Sequence, residues 1–136
     1  MVFDASAMIA YLRDENGAAF VENLLDDADV GKVAHFINLA EVFISFAKSD
    51  DEPTAHNALA ILRDAGIVER NDADASLWHD AAGLVARQRK SGYGLALGDS
   101  FCVALARRLG AEIITCDHAE FEPIQAASFA DVTFIR

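Results

Sequence analysis

Short apolar runs and longer helix-periodic blocks alternate along this chain. Val2 and Phe3 form a brief buried strand that ends at Asp4, with a helix directly after it. Between Gly17 and Ala28 the apolar positions Val21, Leu24, Leu25 and Ala28 recur at helical spacing. "KVAHFI" (Lys32 to Ile37) follows Gly31 as a strand, and "NLAEVFISFAKSD" follows it as a strongly apolar helix. "DDEPTAHN" is a polar break with Pro53 at a first helical position, after which Ala55, Ala58, Leu59 and Leu62 continue a helix to Gly66. "GIVER" predicts a strand, "DADASLWHDAAGLVARQRK" a helix and "SGYGLALG" a loop. Asp99 then opens a helix that stops at Gly110, "AEIITC" is a strand closed by Asp117, and "VTFIR" is a last strand. Strands alternating with helices of this length predict one α/β domain over residues 1–136 with a largely parallel sheet.

Composition narrows the class. At 53% hydrophobic residues and a mean hydropathy of +0.18, the chain can bury one sizeable core. No apolar run approaches the ~20 residues of a membrane helix. The start "MVFDAS" has no basic stretch before an apolar block, so no signal peptide is expected. Cys102 and Cys116 form neither a CxxC nor a zinc pattern and read as buried thiols in a reducing cytoplasm. The net charge of −11 opposes general electrostatic affinity for nucleic acid. It fits an acidic soluble surface, a pocket of acids neutralised by a divalent metal, or a basic partner segment, and composition leaves the three open.

Four acids stand at comparable places: Asp4 and Asp117 at strand ends, Glu41 in the first turn of its helix and Asp99 at the start of another. In a parallel sheet, strand C-termini and the following helix N-termini share the edge that carries ligand sites. Acids gathered there repel, and each helix N-terminus offsets only about half a charge, so they must take up protons or bind a cation. Hard oxygen ligands suit Mg²⁺ or Mn²⁺, which lower the pKa of bound water and stabilise phosphate charge. Each acid also has a purely structural reading. Asn38 and Glu41 fit a capping box, Asp99 an N-cap contributing about 1 kcal/mol, and Asp4 and Asp117 turn formers.

At these residues the sequence resembles the PIN-domain ribonucleases, in particular the VapC toxins of type II toxin–antitoxin systems. The matching blocks are "VFDASAMIAYL", "INLAEV", "GLALGDSFCVALARRLGAEIITCDHAEFEPI" and "DVTFIR", which span essentially the whole chain. The resemblance implies a three-layer α/β/α fold and a Mg²⁺- or Mn²⁺-dependent endoribonuclease. The family's acidic quartet falls on Asp4, Glu41, Asp99 and Asp117, with Asp4 and Asp99 as main metal ligands. Ser6 matches a hydroxyl residue that orients Asp4 or a water, and Asn38 matches a polar position near the site. Also implied are an RNA substrate, a homodimer or hetero-oligomer, and a VapB-like antitoxin whose C-terminal segment wraps the toxin. An antitoxin arginine commonly enters the acidic pocket. Two departures stand out: Gly98 precedes Asp99 where alanine is commoner, and "HAEF" follows Asp117 where many members place another aspartate. Glu120 is either a stand-in for that acid or a surface charge.

The remaining features carry less. His35, His56, His79 and His118 show no metal-binding spacing, although His118, next to Asp117, is a candidate RNA contact. Arg87, Arg89 and Lys90 beside the "SGYG" loop form either a solvated face or a phosphate contact. Trp78 and the nine phenylalanines read as core or dimer interface, and Arg107 and Arg108 as complements to their helix dipole. The alternatives to a nuclease are a catalytically inactive PIN-fold binding module and a Mg²⁺-binding receiver-type signalling domain. A receiver needs an acidic pair after its first strand and a late lysine, whereas "VFDAS" offers one acid and the lysines are Lys32, Lys48 and Lys90. A haloacid-dehalogenase-type phosphatase is disfavoured because Ser6 stands two residues after Asp4.

Overall fold

Strand β1 (Val2–Phe3) occupies the middle of a five-stranded, all-parallel sheet in the computed structural model, which describes Met1–Arg136. Its neighbours are β2 (Val33–His35) and β4 (Ile113–Thr115), with β3 (Val68–Arg70) and β5 (Val132–Phe134) at the edges, giving the order β3-β2-β1-β4-β5. All strands are short, and their side chains divide by the two-residue strand period. Phe3 and Ile114 face one apolar cluster, Val2 and Ile113 the other. Helices α1 (Ala5–Leu12), α2 (Ala18–Asp26), α3 (Phe36–Ser49) and α4 (Glu52–Asp64) contribute to the first cluster. Helices α5 (Ala75–Lys90), α6 (Leu97–Leu109) and α7 (His118–Ala126) contribute to the second. The result is a three-layer α/β/α domain, and no helix is long and apolar enough to cross a membrane.

Most elements lie where their patterns predict. Gly110 ends α6 in the left-handed region at φ +60°, which a glycine adopts without the Cβ penalty. The polar break is only Asp50–Asp51, because Asp51 already caps α4 by accepting from the Thr54 N–H at 2.8 Å. Cys102 and Cys116 are free thiols, the first buried and the second half-buried. Arg108 does more than complement a dipole. Its guanidinium donates to Asp72, Asp74 and Ser76, tying the end of α6 to the start of α5 and holding the Asp74 carboxyl below the usual range.

Four expectations need correction. Phe36 and Ile37 are helical rather than strand residues, because His35 ends β2 and its Nδ1 accepts from the Ile37 N–H at 3.4 Å. The cap of α3 is therefore His35, and the Asn38–Glu41 capping box does not exist. Asn38 is buried inside the helix, and Glu41 sits beyond its first turn. Asp99 neither opens nor caps α6, since the cap position is Ala96 and Asp99 is the third helical residue. Helix α7 lies in a stretch that the apolar pattern leaves unassigned. Pro123 interrupts its donors, and only Phe121 and Ile124 mark its buried face. Phe121 is wholly buried in the second cluster, so Phe121→Ala is expected to cost about 3–5 kcal/mol in a denaturant melt.

Candidate metal centre

The order of the sheet reverses between β1 and β4, so the helices after these two strands leave on opposite faces and open a crevice at the strand C-termini. Asp4 stands at that point. Its backbone N–H continues the sheet by donating to the Ile114 carbonyl at 3.0 Å, and its side chain caps α1. One carboxylate oxygen, Oδ2, accepts from the Ser6 N–H at 3.1 Å, the Ser6 hydroxyl at 2.6 Å and the Thr115 hydroxyl at 2.9 Å. The other, Oδ1, is buried without any hydrogen-bond partner. A buried carboxylate oxygen left bare is costly unless a proton or cation meets it.

What surrounds Asp4 is more negative charge. Ligand atoms of Asp4, Glu41 and Asp99 lie within 4.8 Å of one another, and so do those of Asp99, Asp117 and Glu120. Asp99 is thus shared by two triplets. Asp117 joins the site through Asp99 and Glu120 rather than by direct approach to Asp4 and Glu41. Its carboxylate also caps α7, accepting from the Glu120 N–H at 3.1 Å. Burial and the neighbouring acids disfavour the charged forms of Asp4, Glu41 and Asp99. Burial raises the Asp4 carboxyl despite its hydrogen bonds, and burial and then the Asp4 charge raise Glu41. Asp99 is pushed up to about 10 by burial, then by a hydrogen bond shared with Glu120 and by the charges of Asp4, Glu120 and Glu41.

The supporting residues differ in what they do. Ser6 links the centre to the next strand, since its hydroxyl lies 3.0 Å from the Thr115 hydroxyl and accepts from the Cys116 N–H at 3.0 Å. Thr115, wholly buried, was not a candidate from sequence, yet it donates to Asp4 and accepts from the Asp117 N–H at 3.0 Å. A lone hydroxyl at the end of the apolar run "EIIT", two residues before an aspartate, is the signal that marks it. Asn38 reaches from α3 towards both Glu41 and the Gly98 carbonyl, at 3.4 Å each. Glu120 is no stray surface charge. Its Oε2 accepts from the Ala96 N–H at 2.5 Å, fastening the entry of α6 to α7.

The candidate RNA contacts already have partners of their own or stand exposed on the surface. Arg87, Arg89 and Lys90 form the exposed last turn of α5, with Arg87 3.8 Å from Asp80 and over the Phe129 ring at 5.5 Å. The His118 ring is committed to its own chain. It stacks on Phe134 at 4.2 Å, and its nitrogens meet Glu122 at 2.7 Å and the Arg136 carbonyl at 2.8 Å.

A bare buried Oδ1, two triplets of close carboxylates and an all-oxygen donor set fit a small hard divalent cation. Asp4, Glu41 and Asp99 would hold it, and Asp99, Asp117 and Glu120 form a second such group beside them.

The sequence matches the PIN domain over residues 1–125. No curated protein matches it. Among solved structures, VapBC-1 from nontypeable Haemophilus influenzae is 20% identical with a TM-score of 0.72, covering 99% of this chain and 98% of its own. The DNA-bound VapBC of Salmonella typhimurium is 14% identical with a TM-score of 0.73, covering 99% and 97%. VapC20 of Mycobacterium tuberculosis, described as a sarcin–ricin loop cleaving toxin, is 18% identical with a TM-score of 0.69, covering 97% and 98%. At these identities the likeness is one of fold.

Proposed function

This chain belongs to the PIN-domain family, and we propose that it is a divalent-metal-dependent endoribonuclease, the VapC-type toxin of a toxin–antitoxin pair. The observation that carries the reading is the bare, buried Oδ1 of Asp4, a carboxylate gathered with Glu41 and Asp99 at the switch point of the sheet. Mg²⁺ or Mn²⁺ bound there supplies a lowered pKa for water and stabilisation of phosphate charge. The chain's own residues prepare the place. Ser6 and Thr115 pin Oδ2 of Asp4 and leave its other oxygen without a partner. Asp99, raised to about 10, would give up its proton to a bound cation, and burial and the Asp4 charge disfavour the charged form of Glu41 in the same direction. Asp117 and Glu120 fix the α6 and α7 entries on either side of Asp99. The reaction is hydrolysis of an RNA phosphodiester bond by water, without a side-chain nucleophile.

The partners proposed with this activity are an RNA substrate and a VapB-like antitoxin in the cytoplasm, with the toxin as a homodimer or in a hetero-oligomer. Arg87, Arg89 and Lys90 are the proposed phosphate contacts. A basic antitoxin side chain entering the acid cluster would relieve the same repulsion that a cation relieves.

Incubation of the purified protein with RNA should give cleavage in millimolar Mn²⁺ and none in EDTA. Full activity in EDTA overturns the metal dependence, and no cleavage in Mn²⁺ leaves a PIN-fold binding module. Because Asp99, raised to about 10, must lose its proton to bind, Mn²⁺ affinity should rise between pH 6 and pH 8, as read by calorimetry. An affinity flat across that range contradicts the proton-holding role.

A further inference from the structure

Gly98 precedes Asp99 on the buried side of α6, directly beneath the Glu41 carboxylate. A Cβ added at Gly98 would lie 2.1 Å from Glu41 Oε1, 2.7 Å from its Cδ and 3.0 Å from Oε2, and these are its three nearest contacts. The carboxylate therefore occupies the volume that a side chain at position 98 would fill. Asn38 closes the other side of the seat, its amide nitrogen 3.4 Å from Glu41 Oε2 and 3.4 Å from the Gly98 carbonyl. The backbone at Gly98 is ordinary helix, with no positive φ, so conformational freedom does not explain a glycine there. In the first turn of a helix, glycine is otherwise a poor choice beside alanine.

We propose that Gly98 is a positioning residue: the missing Cβ, together with Asn38, forms a cradle that holds the Glu41 carboxylate against Asp4 and Asp99. The inference rests on the metal-site reading of those acids and says which feature of α6 makes Glu41 a competent ligand. A methyl group at position 98 collides with the far end of a flexible side chain, not with backbone. The fold survives, and the carboxylate moves away. Stability and metal affinity should then separate, which a merely structural glycine would not allow.

The test is Mn²⁺ binding by calorimetry and melting in EDTA for the parent, Gly98→Ala, Glu41→Ala and the double variant. Gly98→Ala should melt in EDTA at the parent's temperature or above, and bind Mn²⁺ about 10-fold or more weakly, the scale for losing a group that orients a ligand. In the Glu41→Ala background the same change should leave Mn²⁺ affinity unaltered, because no carboxylate remains to displace. Parent-like affinity in Gly98→Ala overturns the proposal, as does an equal loss in both backgrounds. Unfolding of Gly98→Ala in EDTA overturns it too, since the methyl group has then met something other than a mobile carboxylate. A parent that binds no Mn²⁺ removes both this proposal and the metal dependence. A parent that binds Mn²⁺ but cuts no RNA removes only the nuclease reading, and the cradle is still decided by the affinities.

Discussion

Asp4→Asn is expected to lower RNA cleavage at least about 100-fold, the scale for deleting one preorganised charged group from a reaction centre, while the protein stays folded. Asparagine keeps an oxygen where Oδ2 accepts from Ser6 and Thr115, so the cap of α1 and the link to β4 survive. Its amide nitrogen replaces the bare Oδ1 and presents a donor to the nearby acids instead of an anion to a cation. Loss of activity should therefore accompany an unchanged or raised melting temperature in EDTA. The measurement is initial cleavage rate in saturating Mn²⁺ beside a circular-dichroism melt. Parent-like cleavage by Asp4→Asn removes Asp4 from the reaction centre, and unfolding makes it a structural residue only.

The second large effect runs against the usual outcome of changing a site residue. Asp99→Asn should stabilise the metal-free protein near pH 7.5 by about 1–2 kcal/mol, or roughly 3–8 °C in melting temperature. The sign follows from linkage. Asp99 is raised in the fold to about 10 from an ordinary 3.8, so the fold holds its proton more tightly than the unfolded chain does. That stabilisation is complete below pH 3.8 and is lost progressively as pH rises towards about 10. At pH 7.5 much of it has gone, and asparagine restores a neutral group. The advantage of the variant should shrink as pH falls from 8 to 5. Asp4 and Glu41 are shifted in the same direction. His118, raised by the Arg136 carbonyl and Glu122, and His35, lowered by burial, are shifted as well. Comparing variant with parent at each pH cancels both. Added Mn²⁺ should then raise the melting temperature of the parent and not that of Asp99→Asn. A variant less stable than its parent in EDTA at pH 7.5 contradicts the crowded-acid account.

The two effects share one cause. The chain places acids where burial and mutual repulsion disfavour their charged forms, and that instability is what the proposed cation or basic partner group would relieve. Such a site lowers the stability of the empty fold in exchange for affinity, a common feature of functional centres.

Much of this was legible along the chain because it depends on local physics. Strand and helix periods separate Val2–Phe3 from the helix after it, and Gly110 stops α6 because glycine tolerates the left-handed turn. The positions of Asp4, Glu41 and Asp117 at one sheet edge follow from parallel topology, because each stands at a strand end or in the helix after a strand, whereas Asp99 lies in α6, which follows another helix. Boundaries were less legible, since they depend on which side chain reaches a free N–H. His35 rather than Asn38 caps α3, and Ala96 rather than Asp99 occupies the cap position of α6. Helix α7 escaped because its reason for existing is Phe121 and Ile124 packing into a cluster built from distant residues.

Sequence by itself therefore determined the α/β class and named four acids, Asp4, Glu41, Asp99 and Asp117, as candidates for one site. Only tertiary structure decided how those acids divide. Asp99 became the shared member, Glu120 entered from α7, and Thr115 took hold of Asp4 across the sheet. The seat of Glu41 on Gly98 joins residues far apart in the chain, and no local rule anticipates it. Periodicity and capping act over a few residues and can be read from their order. Burial, repulsion and close approach depend on which elements meet in space, and they exist only once the helices have closed on the sheet.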